Sequence, residues 1–120
     1  MKKILIVDDK PEIAKVLIIY LSSEYEIVYI EDPIKAIAWL QEGNLPDLIL
    51  SDLNMPGMRG EEFVAYLQSN DIFCSIPIMI LSSEDTSADR IRLLEAGASD
   101  YILKPFNPQE LKVRIKLLLK

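Results

Sequence analysis

Histidine is absent from this 120-residue chain. That removes imidazole from every role at once: general acid or base, metal ligand, or site of a phosphohistidine on the chain itself. Cysteine occurs once, at Cys74, so no internal disulfide can staple the fold and nothing indicates an oxidising compartment. Basic charge is in the minority: 13 Lys and Arg stand against 19 Asp and Glu, for a formal net charge of −6. A domain of that sign lacks the basic footprint that binding to a phosphate backbone needs, so no direct nucleic-acid contact by this domain is expected. The opening Met1-Lys2-Lys3 leads into a short apolar stretch ended by an acid pair, too short for a signal peptide or a membrane span. No membrane association and a cytoplasmic location are the expectation. Repeats, low-complexity tracts and internal linkers are also missing, which leaves one domain over 1–120. With 50% hydrophobic residues, the chain can fill a core at this size.

What the chain does contain is a regular alternation. Short apolar runs occur at Ile4–Val7, Ile27–Ile30, Leu48–Leu50, Ile78–Leu81 and Tyr101–Leu103. They are mostly rich in β-branched or aromatic residues and lack polar/apolar alternation, as strands buried on both faces of a parallel sheet do. Between them lie helical patterns. Ile13, Val16, Leu17 and Tyr20 follow the spacing of one helix face, with Pro11 near the start, where a missing N–H costs little. Asp32-Pro33 reads as an N-cap followed by proline in the first turn. Phe63, Val64 and Leu67 mark a third helix. A fourth is expected from about Ser87 to Ala96, with Ala88, Ile91 and Leu94 inward and Gly97 as its stop. The fifth opens at Asn107-Pro108-Gln109-Glu110, a capping-box pattern, with Leu111, Ile115 and Leu118 as its inner stripe. Five strand–helix alternations predict an α/β fold, a single doubly wound five-stranded parallel sheet with five helices. Ligands of such sheets bind beyond the carboxyl ends of the strands.

At those ends stand Asp8 and Asp9, then Asp52, then Ser82 and Ser83, then Lys104 and Pro105. Taken singly, each is an ordinary loop acid, turn hydroxyl or surface charge. Jointly they put three carboxylates, a hydroxyl and an ammonium at one edge. Converging carboxylates repel, by roughly 1 kcal/mol per pair near 4 Å in water and about 4 kcal/mol at an effective dielectric of 20. A divalent cation relieves that, and oxygen-only donors without His or Cys favour Mg²⁺ or a similar hard ion. One carboxylate can then serve as a nucleophile that forms an acyl phosphate, with the metal and a Lys neutralising the transferring group.

Asp8-Asp9, the segment Asp52-Leu53-Asn54-Met55-Pro56-Gly57-Met58-Arg59-Gly60, Ser82 and Lys104-Pro105 resemble, in order and from end to end, the marks of response-regulator receiver domains of two-component systems. The resemblance implies a flavodoxin-like sheet of order 2-1-3-4-5, like that of a chemotaxis receiver. It implies Asp52 as the phosphate acceptor, Mg²⁺ bound by Asp9 and Asp52 with Asp8 acting directly or through water, and the Asn54 carbonyl as a further ligand. It implies further that Ser82 and Lys104 contact the phosphate and that the bond before Pro105 is cis, where sequence alone would favour trans. Ser82 and Tyr101 form a switch pair, where the bland reading of Tyr101 is an edge-strand residue with a wet hydroxyl. Asn54 and Glu84 tune the lifetime of the phosphorylated state, or are ordinary loop residues. The implied partner is a sensor histidine kinase or phosphotransfer protein, and the chain is either a stand-alone receiver or part of a longer regulator with an output domain outside this chain. Separately, the mixed charge of Arg90, Arg92, Asp100, Lys112 and Arg114 on or near the face of helix four, strand five and helix five suits a homodimer on activation, or is a solvated surface. Such a domain is no metabolic enzyme; it catalyses only its own aspartyl phosphorylation and dephosphorylation.

Two other readings fit less well. A phosphohydrolase of the haloacid-dehalogenase type needs a second Asp two residues after Asp8, where this chain has Lys10, and it carries a cap domain. A receiver-like module that no longer takes phosphate would lack part of the site. The stretches 89–92, 97–101 and 110–114 resemble receivers joined to winged-helix DNA-binding domains, with Ser99 where Asp is usual.

Overall fold

Each apolar run becomes a strand, because a chain segment with no polar face can satisfy its backbone in a sheet while burying both sides. The computed structural model describes residues 1–83 and 86–120. The order is β1 (Lys3–Val7), α1 (Pro11–Leu21), β2 (Glu26–Ile30), α2 (Pro33–Gln41), β3 (Leu48–Asp52), α3 (Gly60–Ser69), a 3-10 turn at Phe73–Ser75, β4 (Ile78–Ser82), α4 (Ser87–Ala96), β5 (Asp100–Leu103) and α5 (Pro108–Leu118). All strand pairs are parallel and the sheet order is β2-β1-β3-β4-β5. The fold is thus α/β and flavodoxin-like, as expected.

Strand periodicity divides the core in two. Leu5, Val7, Ile49, Ile78 and Ile80 face one layer with Ala36, Leu40, Phe63, Val64, Leu67 and Leu93 of α2, α3 and α4. Ile4, Ile6, Leu48, Leu50, Met79, Leu81 and Ile102 face the other, with Leu17 and Leu21 of α1 and Leu111 and Ile115 of α5. β1, β3 and β4 are buried almost throughout. β2 departs from the expectation of strands buried on both faces: it is an edge strand, with Glu26 exposed and the other four residues half-buried.

The caps follow local chemistry. Asp32 accepts from Ile34 N at 2.7 Å and Lys35 N at 3.4 Å, with Pro33 in the first turn of α2. Asn107 accepts from Gln109 N at 2.9 Å and Glu110 N at 3.1 Å. The expected reciprocal partner, Glu110, gives its carboxylate to Arg114 at 2.8 and 3.0 Å.

Two helix faces differ from the sequence reading. In α1 the fully buried residues are Ala14, Leu17 and Leu21; Ile13, Ile18 and Tyr20 pack half-buried against the same core, and of the expected face only Val16 is exposed. The i, i+3, i+4, i+7 pattern begins one residue later than expected, because apolar residues surround this helix and leave its rotation ambiguous. In α4 Leu93 is buried, whereas Ala88, Ile91 and Leu94 are exposed. The cause is the helix end. Gly97 turns at φ 120°, its N–H donates to Leu94 O at 3.1 Å, and Ala98 N donates to Leu93 O at 3.0 Å. That is the Schellman pattern, which brings Leu93 against Ala98. With Leu93 inward, helical geometry turns Leu94 and Ile91 away.

What the fold does for the site is align strand ends. Val7 pairs with Ser51, Asp52 with Leu81 and Ser82 with Leu103, so the residues that follow four strands emerge side by side. The loop after β3 is closed at its base: Gly60 N donates to Leu53 O at 2.7 Å. A Cβ at Gly60 would lie 2.9 Å from Leu53 Cα and O, so this close approach needs glycine.

Candidate functional site

Asp8, Asp9 and Asp52 each present a carboxylate oxygen within 4.8 Å of the others. Asp8 and Asp52 are almost fully buried, at 1% and 4% exposure, because they sit at the ends of β1 and β3, two of the interior strands. Burial pushes the Asp8 carboxyl above its ordinary value, against the opposing effects of the Lys10 N–H and the Lys104 ammonium. Both Asp8 oxygens are engaged: Oδ1 accepts from Lys10 N at 2.8 Å, and Oδ2 faces Lys104 Nζ at 3.5 Å.

Asp52 is held from three directions. Its Oδ1 accepts from Leu53 N at 2.9 Å and from Lys104 Nζ at 3.2 Å, and its Oδ2 from Lys10 Nζ at 3.2 Å. Lys104 comes from the end of β5, where its N–H donates to Ser82 O at 2.7 Å and where the Lys104–Pro105 bond is cis. A strand-to-strand hydrogen bond therefore sets the root of this side chain. Its ammonium lies in a protected position, with the side chain 15% exposed.

Ser82 is buried at the end of β4. Tyr101, on the edge strand β5, is buried too, at 7% exposure. Its register partner is Ile80, and Ser82 is two residues further along the same face of β4. The hydroxyl and the aromatic residue thus share the α2–α3–α4 side of the sheet. Asn54 is exposed in the loop after Asp52. Glu84 lies outside the described residues.

Two side chains that sequence reasoning passed over belong here. Lys10 bridges Asp9 Oδ1 at 3.4 Å and Asp52 Oδ2 at 3.2 Å. Its place directly after the acid pair was the available signal. The Tyr29 hydroxyl donates to Asp8 O at 2.8 Å and so ties the acid-bearing loop to the edge strand; burial, then the Asp8 charge, pushes its phenol pKa up, which keeps it a donor. A polar group near the end of β2, whose Tyr29 pairs with Ile6, was the only hint. A cavity of about 310 Å³ is lined by Arg90, Tyr101, Phe106, Glu110 and Arg114 among others, and by none of Asp8, Asp9 and Asp52.

A profile of the response regulator receiver domain matches residues 4–116. The chain belongs to the response-regulator receiver family. This receiver domain is 42% identical over 119 residues to the transcriptional regulatory protein ResD of Bacillus subtilis, covering 98% of this chain and 48% of that protein. It is 38% identical over 116 residues to hybrid signal transduction histidine kinase D of Dictyostelium discoideum, covering 97% and 7% respectively. Among solved structures, the chemotaxis response regulator CheY4 of Vibrio cholerae superposes with a TM-score of 0.91 at 32% identity, covering 99% of each chain. The receiver spans about half the length of the curated transcriptional regulators it matches. Receivers of this kind are signalling domains rather than metabolic enzymes. Among the described residues, no helix is long and apolar enough to cross a membrane.

The raised Asp8 pKa has a consequence for stability. The folded protein holds this proton more tightly than the unfolded chain does, so the ionised carboxylate opposes folding at neutral pH. The penalty fades as pH falls through the raised value towards the unfolded one near 3.8. Asp8→Asn keeps an acceptor for the Lys10 N–H and removes the charge. In EDTA at pH 7 it should melt higher than the parent by about 2–6 °C, which corresponds to roughly 1 kcal/mol at this size. The gain should shrink on acidification towards pH 4, followed by circular dichroism. An equal gain at both pH values would contradict the assignment.

Proposed function

We propose that this domain is a phosphorylation-dependent switch whose phosphate acceptor is Asp52. The observation that carries the reading is the placing of the buried Asp52 carboxylate beside those of Asp8 and Asp9 and the Lys104 ammonium. Asp52 Oδ1 lies 3.2 Å from Lys104 Nζ, so a phosphoryl group joined to Asp52 meets a cation at once.

The donor set fits a hard divalent cation. It is oxygen-only, three carboxylates converge within 4.8 Å, and the chain has no His to divert it towards softer metals. Asp9 and Asp52 are the residues to hold Mg²⁺ directly, with the Asn54 carbonyl. Asp8, whose carboxylate converges with theirs, acts directly or through water. When bound, the cation supplies charge neutralisation for the transferring phosphoryl group.

Group transfer then runs through the chain's own residues. A carboxylate oxygen of Asp52 attacks the phosphorus of a phosphohistidine on a partner kinase or phosphotransfer protein. The P–N bond breaks, its electron pair stays on the donor nitrogen, and the new P–O bond makes an acyl phosphate. Lys104 holds the charge of the phosphate as a point cation, and the Ser82 hydroxyl donates to another phosphate oxygen. Asn54 and Glu84 set how fast water later hydrolyses the acyl phosphate.

Signal passes outward by the Ser82–Tyr101 pair. Phosphate draws the Ser82 hydroxyl towards it, and the space it leaves, on the face it shares with Tyr101, favours one placement of that ring. The equilibrium of the α4–β5–α5 surface shifts accordingly. Arg114 binds Asp100 and Glu110 on this surface, both at 2.8 Å, and Arg92 binds Asp89 and Glu61, also at 2.8 Å. A homodimer formed on activation through the same face would exchange such pairs across a two-fold axis. Transcriptional regulators and a hybrid kinase among the relatives give two contexts for output, and an output domain outside this chain is the reading we adopt.

Incubation with acetyl phosphate and Mg²⁺ should add one phosphoryl group to the parent protein by intact mass and none to Asp52→Ala. Equal labelling of the variant would remove Asp52 from the mechanism.

Lys104→Ala should still be labelled at Asp52 yet fail to transmit. Amide NMR spectra with and without beryllofluoride, a phosphoryl mimic, should show the α4 shifts of the parent largely lost in the variant. A full parental shift pattern would refute the coupling.

A further inference from the structure

The three carboxylates are divided between two ammonium groups that differ in kind. Lys104 faces Asp8 Oδ2 at 3.5 Å and Asp52 Oδ1 at 3.2 Å, and its side chain is 15% exposed. Lys10 faces the remaining pair, Asp9 Oδ1 at 3.4 Å and Asp52 Oδ2 at 3.2 Å, and its side chain is 53% exposed. The oxygens that Lys10 touches therefore belong to the two residues read above as direct metal ligands.

Its position follows from the backbone. Lys10 caps α1 in an extended conformation, φ −105° and ψ 105°, as a residue before proline prefers. Its N–H is held by Asp8 Oδ1 at 2.8 Å. The root of the side chain is thus pinned beside the cluster, while four flexible methylenes leave the ammonium free to stay or go. Burial works against its charge, yet the hydrogen bond and charge of Asp52, then those of Asp9, hold the ammonium's pKa above its ordinary value.

We propose that Lys10 is a tethered counter-ion, which occupies the Asp9–Asp52 edge of the site in the metal-free protein and yields it to a divalent cation, so that it sets how tightly the cation is held. The inference rests on the metal site of the proposed function. Charge counting shows why both states exist. Three carboxylates with Lys10 and Lys104 sum to −3 + 2 = −1, and with a divalent ion in place of Lys10 to −3 + 2 + 1 = 0. Distance shows why they exclude each other. Mg²⁺ holds oxygens at about 2.0–2.1 Å, so the two carboxylates must draw in around the space the ammonium now spans. Lys10 then turns outward into water, where half of its side chain already lies.

Calorimetric titration with MgCl₂ of the parent protein and of Lys10→Met, which keeps a long unbranched side chain without charge, tests this. Exposed ion pairs are individually weak, so the variant should bind Mg²⁺ roughly three- to tenfold more tightly. In the parent, the Lys10 side-chain NMR signals should move with the same saturation curve towards those of a hydrated lysine. Equal affinities would overturn the counter-ion role and leave the metal site standing. Tighter binding with the Lys10 signals unmoved would also overturn it, since a remote field effect needs no displacement. If neither protein binds Mg²⁺ saturably, the metal reading itself fails and this inference with it.

Discussion

Repulsion among three carboxylates is the constraint around which this domain is organised. Asp8, Asp9 and Asp52 converge within 4.8 Å, and two of them are nearly removed from water. At such separations each like-charge pair costs roughly 1 kcal/mol in water and about 3–4 kcal/mol at an effective dielectric of 20. A fold that only needed stability would not gather them. Almost every neighbour acts to offset that cost: the Leu53 and Lys10 backbone N–H groups donate to Asp52 and Asp8, and Lys104 and Lys10 supply positive charge on opposite sides. Under the proposed function this tension would make the site responsive, because a divalent cation or a phosphoryl group would change a charge balance that is already tight.

The sheet supplies the rigidity that such a site requires. Parallel strands in register bring the ends of β1, β3, β4 and β5 abreast, and both faces of the central strands are filled by large side chains. The loops at the edge are tied back individually. Tyr29 fastens the loop of Asp8, Gly60 closes the loop of Asp52, and the Lys104 N–H is bonded to Ser82. Ser82, at the end of β4, and Tyr101, on β5, lie on one face of the sheet, between the carboxylate edge and α4.

Much of this was legible in the sequence because the informative residues fall where strands end. Five unalternating apolar runs announced a buried parallel sheet, and Asp32 and Asn107 announced their helix starts through chemistry confined to one turn. The errors have a common origin, since they concern rotation or tertiary partners. Apolar residues on all sides of α1 left its inner face ambiguous by one residue. In α4 the hydrogen-bonding pattern around Gly97 selected Leu93 over Ile91 and Leu94, and no periodicity reports that. β2 looked as apolar as its neighbours yet lies at an edge, a fact of topology. Lys10 and Tyr29 escaped because their roles depend on what they reach, and an ammonium on a flexible stem gives no spacing to read.

The central claim is that the three carboxylates form one hard-cation site at the carboxyl edge of the sheet. Paramagnetic broadening by Mn²⁺, a hard cation suited to the same oxygen donors, tests it most directly. Titrated at substoichiometric Mn²⁺ into ¹⁵N-labelled protein, the amide signals of Asp8, Asp9, Lys10, Asp52, Leu53 and Asn54 should broaden first, with those of α2 and the far ends of the strands spared. Excess Mg²⁺ should restore them. Broadening that begins elsewhere, or that spreads evenly over the acidic surface and is indifferent to Mg²⁺, would contradict the account.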